Sequence, residues 1–180
     1  EVLSGVEEVF LAGEADLAIT GGNLQGYLGS QLGEVEFIAV AHPQHPLHQL
    51  QRELNHEDLQ SQLQVVIRDS GRLQPRDVGW LGSEQRWTVA SLSTAASFVS
   101  SGLGFAWLPR HLIGNELGAG LLKALPLSTG GRRTPQFFLY ASKLKVIGPA
   151  TQILIELLKT YDAMALETPF AAPQSTPLET

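Results

Sequence analysis

Cysteine is absent from this sequence of 180 residues. Its absence excludes disulfide bonds, thiolate nucleophiles and cysteine-bound metal sites, and it is typical of proteins in the reducing cytoplasm. Long hydrophobic runs are absent as well, because no apolar stretch approaches the roughly 18 residues that a membrane span needs. The first residues are acidic, without a basic segment leading into an apolar one. We therefore expect a cytoplasmic location, with no secretory signal and no membrane partner.

Basic residues are also few. The 12 Lys and Arg residues against 18 Asp and Glu residues give a net charge of −6, and the only basic dipeptide is Arg132-Arg133. A domain that binds nucleic acid is usually basic along one face. The composition therefore does not predict that this part of the protein contacts DNA.

The motifs of common catalytic and metal sites are missing too. We find no G-x-S-x-G, no G-x-x-x-x-G-K-[ST] and no G-x-G-x-x-G after a strand, so we expect neither an enzyme nor a cofactor. His42, His45 and His48 have three-residue spacing, but Pro43 and Pro46 exclude a regular helix there. No cysteine or carboxylate cluster joins these histidines, and we expect no metal site.

Residues 86–109 show the clearest local pattern, which predicts a β-α-β unit. Trp87 and Val89 mark a strand, Ser91 can cap a helix, and Gly102 suits the left-handed residue that ends one. The two strands of such a unit must be parallel. Ligands of parallel sheets bind at the carboxyl ends of strands, often near helix N-termini, so residues 91–94 are the first candidate site. The apolar stripe of the helix consists of Leu92, Ala95, Ala96, Val99 and Leu103.

The other elements are predicted from periodicity and from glycine and proline. Ser4 can cap a first helix, and Pro149 suits the start of the last one. The prolines of residues 42–48 predict a crossover rather than a helix or central strand. Residues 163–180 are predicted to form a disordered, proline-rich tail. Strands are predicted at 16–20, 31–41, 63–68, 121–125 and 136–141.

Three segments in this order resemble the effector-binding domain of LysR-type transcriptional regulators. They are residues 11–19, which contain Gly-x-x-Asp-Leu-Ala-Ile, residues 42–47 (HPQHPL), and residues 99–109 (VSSGLGFAWLP). The last segment is similar to the family pattern V-x-x-G-x-G-[IV]-x-x-[LM]-P. Gly120-Leu121-Leu122 and the final helix stand where the family has a G-x-L strand and a return helix. The resemblance covers roughly residues 1–162.

The resemblance implies an α/β, two-lobed fold like that of type 2 periplasmic binding proteins, with a ligand cleft between the lobes. Residues 1–40 plus 148–162 would form regulatory lobe I, incomplete at its N-terminus. Residues 41–142 would form lobe II. The chain would then cross between the lobes near Val40-Ala41 and near Tyr140-Ala141.

The resemblance also implies a function. The chain would sense a small effector, anionic or an aromatic carboxylate, for a DNA-binding transcription factor that forms a homodimer or homotetramer at full length. The family's helix-turn-helix domain, through which DNA would be bound, is absent from this chain, as are the first strand and helix of its regulatory domain. The alternative is a solute-binding protein of a transport system with the same fold.

The candidate effector-binding residues follow from strand ends and helix starts. Hydroxyl groups and free N–H groups at such positions favour an anion. Structural alternatives remain open: Ser91 as a simple cap, residues 70–71 and 21–22 as simple turns, and Arg68 paired with Asp69 or another acid. Trp80, Trp87 and Trp107 could stack an aromatic ligand; Trp107 is expected in the core instead, whereas Trp80 lies in a polar loop and stays open. The candidates are Thr20, Gly21, Gly22, Arg68, Ser70, Gly71, Ser91, Ser93 and Thr94.

Overall fold

The computed structural model describes residues 3–73, 79–143 and 147–167. Two β-sheets with flanking helices make up these parts of the chain. In chain order the elements are α1 (Ser4–Leu11), β1 (Leu17–Thr20), β2 (Ser30–Glu34), β3 (Phe37–Ala41), α2 (Pro46–Gln49), α3 (His56–Gln60), β4 (Gln64–Ile67), β5 (Arg86–Val89), α4 (Leu92–Ser100), β6 (Phe105–Pro109), α5 (Gly114–Gly118), β7 (Lys123–Ala124), β8 (Arg132–Arg133), β9 (Gln136–Ala141) and α6 (Pro149–Glu167).

The first sheet has the strand order β1-β9-β2, and both pairings are antiparallel. Its small core contains Phe10 of α1, Ala18 of β1, Tyr140 of β9 and, from the segment between β1 and β2, Leu24. The Tyr140 hydroxyl donates a hydrogen bond of 3.0 Å to the carbonyl of Gly22. This bond ties the turn after β1 to the middle strand of the sheet.

The second sheet has the order β5-β4-β6-β3-β7, with β8 also paired to β3. Strand β4 is parallel to both β5 and β6, which confirms the predicted β-α-β unit. The Ser91 hydroxyl accepts from the Thr94 amide at 3.1 Å, so the predicted helix cap is confirmed as well.

Two glycines explain the G-x-G pattern that precedes β6. Gly102 and Gly104 have φ angles of +86° and +81°, a region that side chains disfavour. A Cβ on Gly104 would also collide with the Leu63 carbonyl oxygen. Glycine at 104 therefore lets β6 approach β4, where the Phe105 amide donates to that same carbonyl at 3.0 Å.

The central strands β3 and β6 of the second sheet are buried on both faces, which explains their continuous apolar sequences. In β3, Ile38 and Val40 face a cluster that includes helix α4, whereas Ala39 and Ala41 face one that includes helices α2 and α3. Val99 of α4 is fully buried in the first cluster. Burying a side chain of this size contributes about 1.5–3 kcal/mol.

The passages between the sheets differ from the predicted ones. Strand β3 belongs to the second sheet and β9 to the first, so the chain crosses at residues 35–36 and 134–135 rather than at 40–41 and 140–141. The reason is the doubly buried character of β3, which pairs with β6 along its whole length. The prolines at 43 and 46 mark only the bend after this strand, and Pro46 begins the short helix α2.

Both terminal helices also depart from expectation. Ser4 does not cap α1; Leu3 is the N-cap residue, and the Ser4 hydroxyl instead donates to Asp69 at 2.7 Å. Helix α6 continues to Glu167, so its last turns occupy residues 163–167, which were predicted to be disordered. The rest of the predicted tail, residues 168–180, lies outside the described residues.

Candidate ligand-binding site between the two sheets

A cavity of about 1280 Å³ opens between the two sheets and is lined by residues of both. The first sheet contributes Ile19, Thr20 and Phe137, and the second contributes Gln64 and Trp107. Small-molecule sites usually enclose about 300–1,000 Å³. This space is therefore large enough to hold a small molecule together with ordered water.

The turn after β1 forms part of the wall, as the sequence predicts. Thr20, Gly21 and Gly22 all line the cavity. The Thr20 hydroxyl accepts from the Gly22 amide at 3.1 Å, and Glu7 of α1 packs against Gly22. The turn is thus stabilised by its own hydrogen bond and by Glu7. Its two glycines leave room for a ligand close to the backbone.

Arg68 lines the cavity from the carboxyl end of β4 and is exposed. Among the described residues its guanidinium forms no ion pair with Asp69, which was the structural alternative. Asp69 accepts instead from the Ser4 amide at 3.0 Å and from the Ser4 hydroxyl. The Arg68 amide donates to the Val89 carbonyl at 2.8 Å, which fixes the start of the side chain at the strand end.

Ser70 and Gly71 lie beside the cavity, not in its lining. They pack against the start of α1, where a Cβ on Gly5 would overlap the Ser70 side chain and come within 2.9 Å of the Ser70 carbonyl carbon. The Gly71 amide donates to Asp69 at 2.9 Å. The residues after β4 therefore form a contact between the two parts of the molecule.

The hydroxyl groups at the start of α4 also lie outside the lining. Ser91 Oγ is 3.0 Å from Ser93 Oγ and 2.8 Å from Thr94 Oγ1, so the Ser91 hydroxyl bonds to both of the others. Only Leu92 of this turn reaches the cavity wall. The structure thus brings Thr20, Gly21, Gly22 and Arg68 together around one space and leaves the serine-rich turn apart from it.

An aromatic wall is the main feature that the predicted site residues leave out, although Trp80 and Trp107 were considered as rings that could stack a ligand. Trp80 stacks on His56 with ring centroids 5.4 Å apart and an interplanar angle of 14°, and it contacts Trp107 at 5.8 Å. All three rings line the cavity. The Gln64 side-chain amide donates to the Trp80 carbonyl at 2.8 Å, which anchors the loop that carries Trp80. The residues around Trp80 are polar and show no local pattern that would predict its packing against His56 and Trp107.

The dipeptide Arg132-Arg133 also lines the cavity, although the sequence marked it only as a basic pair. Arg132 forms a 3.1 Å ion pair with Glu36. Arg133 lies over the ring of Phe37, and burial lowers the pKa of its guanidinium. These two neighbours therefore occupy different electrostatic environments.

His45 has a structural role, because it is buried and accepts from the Leu47 amide at 3.2 Å, capping α2. Burial, and then the nearby His48 and His42, lower its pKa.

In the described parts of the chain, no group of three or more His, Cys, Asp or Glu side chains could hold a metal ion. Within these same parts, no helix combines the length and apolarity that crossing a membrane requires.

Comparison with solved structures supports the two-lobed, periplasmic-binding-protein-like α/β fold. The CcmR regulatory domain of Synechocystis PCC6803, in complex with 2-PG, superposes with a TM-score of 0.65 at 13% identity, covering 88% of this chain and 79% of that one. Full-length LysG from Corynebacterium glutamicum with bound effector Arg gives a TM-score of 0.65 at 17% identity, covering 91% and 57%. At these identities the similarity is one of fold.

Sequence comparison adds the family. The chain is 27% identical over 135 residues to the HTH-type transcriptional regulator PunR of Escherichia coli strain K12, covering 71% of this chain and 43% of PunR. It thus spans less than half the length of the curated relatives that it matches. Residues 2–163 match the family described as LysR substrate binding domain. On this match, and with the fold that accompanies it, the chain belongs to the LysR substrate-binding domain family.

Proposed function

We propose that this domain binds a small anionic effector in the cavity between its two sheets and thereby controls a LysR-type transcriptional regulator. The observation that carries the proposal is the arginine content of the cavity wall. Although the chain has a net charge of −6, four arginines line this one space: Arg68, Arg86, Arg132 and Arg133.

Among the described residues, only Arg132 of these four arginines forms an ion pair, with Glu36. Glu7 and Asp69 also line the cavity, but Asp69 accepts three hydrogen bonds from Ser4 and Gly71 and forms no ion pair with the four arginines. Arginine presents a planar fork of donors that matches carboxylate and phosphate groups. An anion that reaches between Arg68 and the turn at 20–22 would contact both sheets at once.

A sensor with its cavity between two sheets requires a ligand that contacts both of them. A ligand shifts a conformational equilibrium only by its difference in affinity for the two states. Here the open and closed states would differ in the separation of the Thr20 turn from Arg68. The hydrogen bonds of Ser4 to Asp69 span the same gap and would form in the closed state.

Two structural relatives carry small molecules, 2-PG in CcmR and the effector Arg in LysG, which supports a binding role rather than catalysis. By analogy with PunR, DNA would be bound by a helix-turn-helix domain outside this chain. The complete regulator would act in the cytoplasm as a homodimer or homotetramer. The family match favours this role over solute transport.

The test is a thermal-shift screen of the chain against small carboxylates and phosphates. Ile19→Trp places a bulky ring in the cavity next to the Thr20 turn, where the anion would contact the first sheet, because Ile19 lines the cavity and is 44% exposed. Leu28→Trp is the matched control, because Leu28 is 92% exposed and lies outside the lining. We expect at least one anion to raise the Tm of the wild type and of the control but not of Ile19→Trp. No shift with any anion, or a shift that survives in Ile19→Trp, would contradict the proposal.

A further inference from the structure

We infer that Arg133 holds the carboxylate of an aromatic monocarboxylate whose ring packs against the wall formed by His56, Trp80 and Trp107. The inference rests on the proposed function and names the ligand class and the anchoring residue.

Arg133 is a cation without a counterion. Among the described residues its side chain forms no ion pair and no hydrogen bond, and its Nε atom is buried without a partner. Burial alone lowers the pKa of the guanidinium, with no acidic group acting against it. A desolvated charge of this kind is costly until an opposite charge pairs with it. An anion entering the cavity would supply that charge.

The neighbouring arginine shows the contrast. Arg132 pairs with Glu36 at 3.1 Å, and Arg110 pairs with the other oxygen of the same carboxylate at 3.1 Å. Glu36 therefore serves two arginines and leaves none of its charge for Arg133. Of the two arginines that β8 contributes to the cavity wall, Arg133 is thus the one whose guanidinium pairs with no described carboxylate and can hold that of a ligand.

The position of Arg133 is determined from two sides. Phe37 is its register partner across β3 and β8, and the guanidinium carbon lies 4.9 Å from the Phe37 ring centroid. On the other side, a Cβ on Gly79 would come within 2.7 Å of Arg133 Nη1, so the absence of a side chain there makes room for the fork. Gly79 has a φ of +90°, which also favours glycine. The fork is thus pre-organised, which reduces the entropy lost on binding.

The aromatic wall begins at the next residue of the chain, Trp80. Its ring stacks on His56 and borders Trp107, whose Nε1 donates to the Gly130 carbonyl at 2.9 Å. With the indole N–H of Trp107 already satisfied, the two indoles, whose planes are inclined by 52°, present mainly apolar ring surface to the cavity. Flat aromatic ligands pack favourably on such surfaces. A carboxylate on Arg133 and a ring on this wall are therefore two ends of one compact ligand.

Calorimetric titration with three probes tests the assignment: benzoate, its uncharged analogue benzamide, and acetate, which lacks the ring. We expect benzoate to bind the wild-type chain, and benzamide and acetate to bind at least tenfold more weakly. Arg133→Gln should raise the Kd for benzoate at least tenfold, and Arg133→Lys, which keeps the charge but not the fork, should raise it less. Arg72→Gln is the matched control, because Arg72 is exposed and lies outside the lining.

Equal benzoate affinity in the wild type and in Arg133→Gln would overturn the inference, as would equal affinity for benzamide or no binding of benzoate at all. Each variant is checked for a wild-type circular dichroism spectrum, and Arg133→Lys covers the case in which Arg133→Gln does not fold. If another anion raises the Tm and loses this effect in Ile19→Trp, the proposed function holds while the inference about aromatic carboxylates fails. The two outcomes are therefore distinguishable.

Discussion

The hydroxyl of Ser4 donates a 2.7 Å hydrogen bond to the carboxylate of Asp69, and these two residues belong to opposite sides of the cavity. Ser4 is the first residue of α1, which packs on the first sheet, whereas Asp69 follows β4 of the second sheet. The side chain of Glu8, one turn further along α1, accepts from the amides of Arg72 and Leu73 at 2.9 and 2.8 Å. The hydrogen bonds of Ser4 and Glu8 therefore join the two halves of the molecule, and we call this pair of contacts the clasp.

Ser4→Ala removes the hydroxyl from this clasp. Because Ser4 is buried, at 4% exposure, and its partner is charged, we expect the free energy of unfolding to fall by about 1.5–3 kcal/mol. Urea denaturation measures this change. Ser101→Ala is the control, since the Ser101 hydroxyl donates only to the Ser97 carbonyl of its own helix at an exposed site. A Ser4→Ala curve that overlays the wild type would show that the clasp contributes nothing to stability.

Ser91→Ala should lower stability without changing ligand affinity. Ser91 caps α4 but lies outside the cavity lining, and loss of such a cap costs about 1 kcal/mol. Chemical denaturation and calorimetric titration with the anion found in the screen give the two quantities. Ser91→Asn, which keeps a capping oxygen, should recover most of the stability. A Ser91→Ala variant that loses affinity while keeping its stability would instead place this turn in the binding site.

Stability should decrease in mildly acidic solution because of His45. Its folded-state pKa lies below the usual 6.5, chiefly through burial and also through the charges of His48 and His42. As the pH falls below 6.5, the unfolded chain takes up a proton before the folded chain does. The stabilising effect is thus complete above pH 6.5 and is lost as the pH falls towards the folded-state pKa. Each unit of pKa depression corresponds to at most about 1.4 kcal/mol.

His45→Asn separates this titration from the cap. Asparagine can accept from the Leu47 amide, as His45 does, but it does not titrate. We expect the loss in unfolding free energy between about pH 7.5 and 5.5 to be smaller in the variant than in the wild type. The pKa of His48 is lowered too, so part of the pH dependence should remain. An equal loss in both proteins would exclude His45 as a source.

The β-α-β unit of the second sheet was predictable because its signals are local. The cap at Ser91, the apolar stripe of α4 and the left-handed Gly102 all act within a few residues of one another. Which sheet a strand joins is not a local property. Strand β3 was therefore placed in the wrong half, although its apolar run already indicated burial on both faces.

The candidate site was likewise predicted only in part. Thr20, Gly21, Gly22 and Arg68, which were predicted from strand ends, all line the cavity. The rule for parallel strands explains only Arg68 at the end of β4, because β1 is antiparallel to β9. It also proposed the serine-rich turn at 91–94, which borders the same edge but lies outside the lining. Strand ends specify an edge, whereas the side chains that line a space depend on how two sheets face each other.

Most of the elements, the family and a small part of the cavity wall were thus predictable from the sequence, since capping, periodicity and turn chemistry depend on neighbouring residues. The packing of distant segments, in contrast, places Arg133 over Phe37, where it forms no ion pair with any described residue, and in the same cavity wall as Trp80 and His56. These residues are far apart in the chain. They meet because β8 pairs with β3 while the loop carrying Trp80 is anchored to Gln64, and no local pattern encodes that meeting.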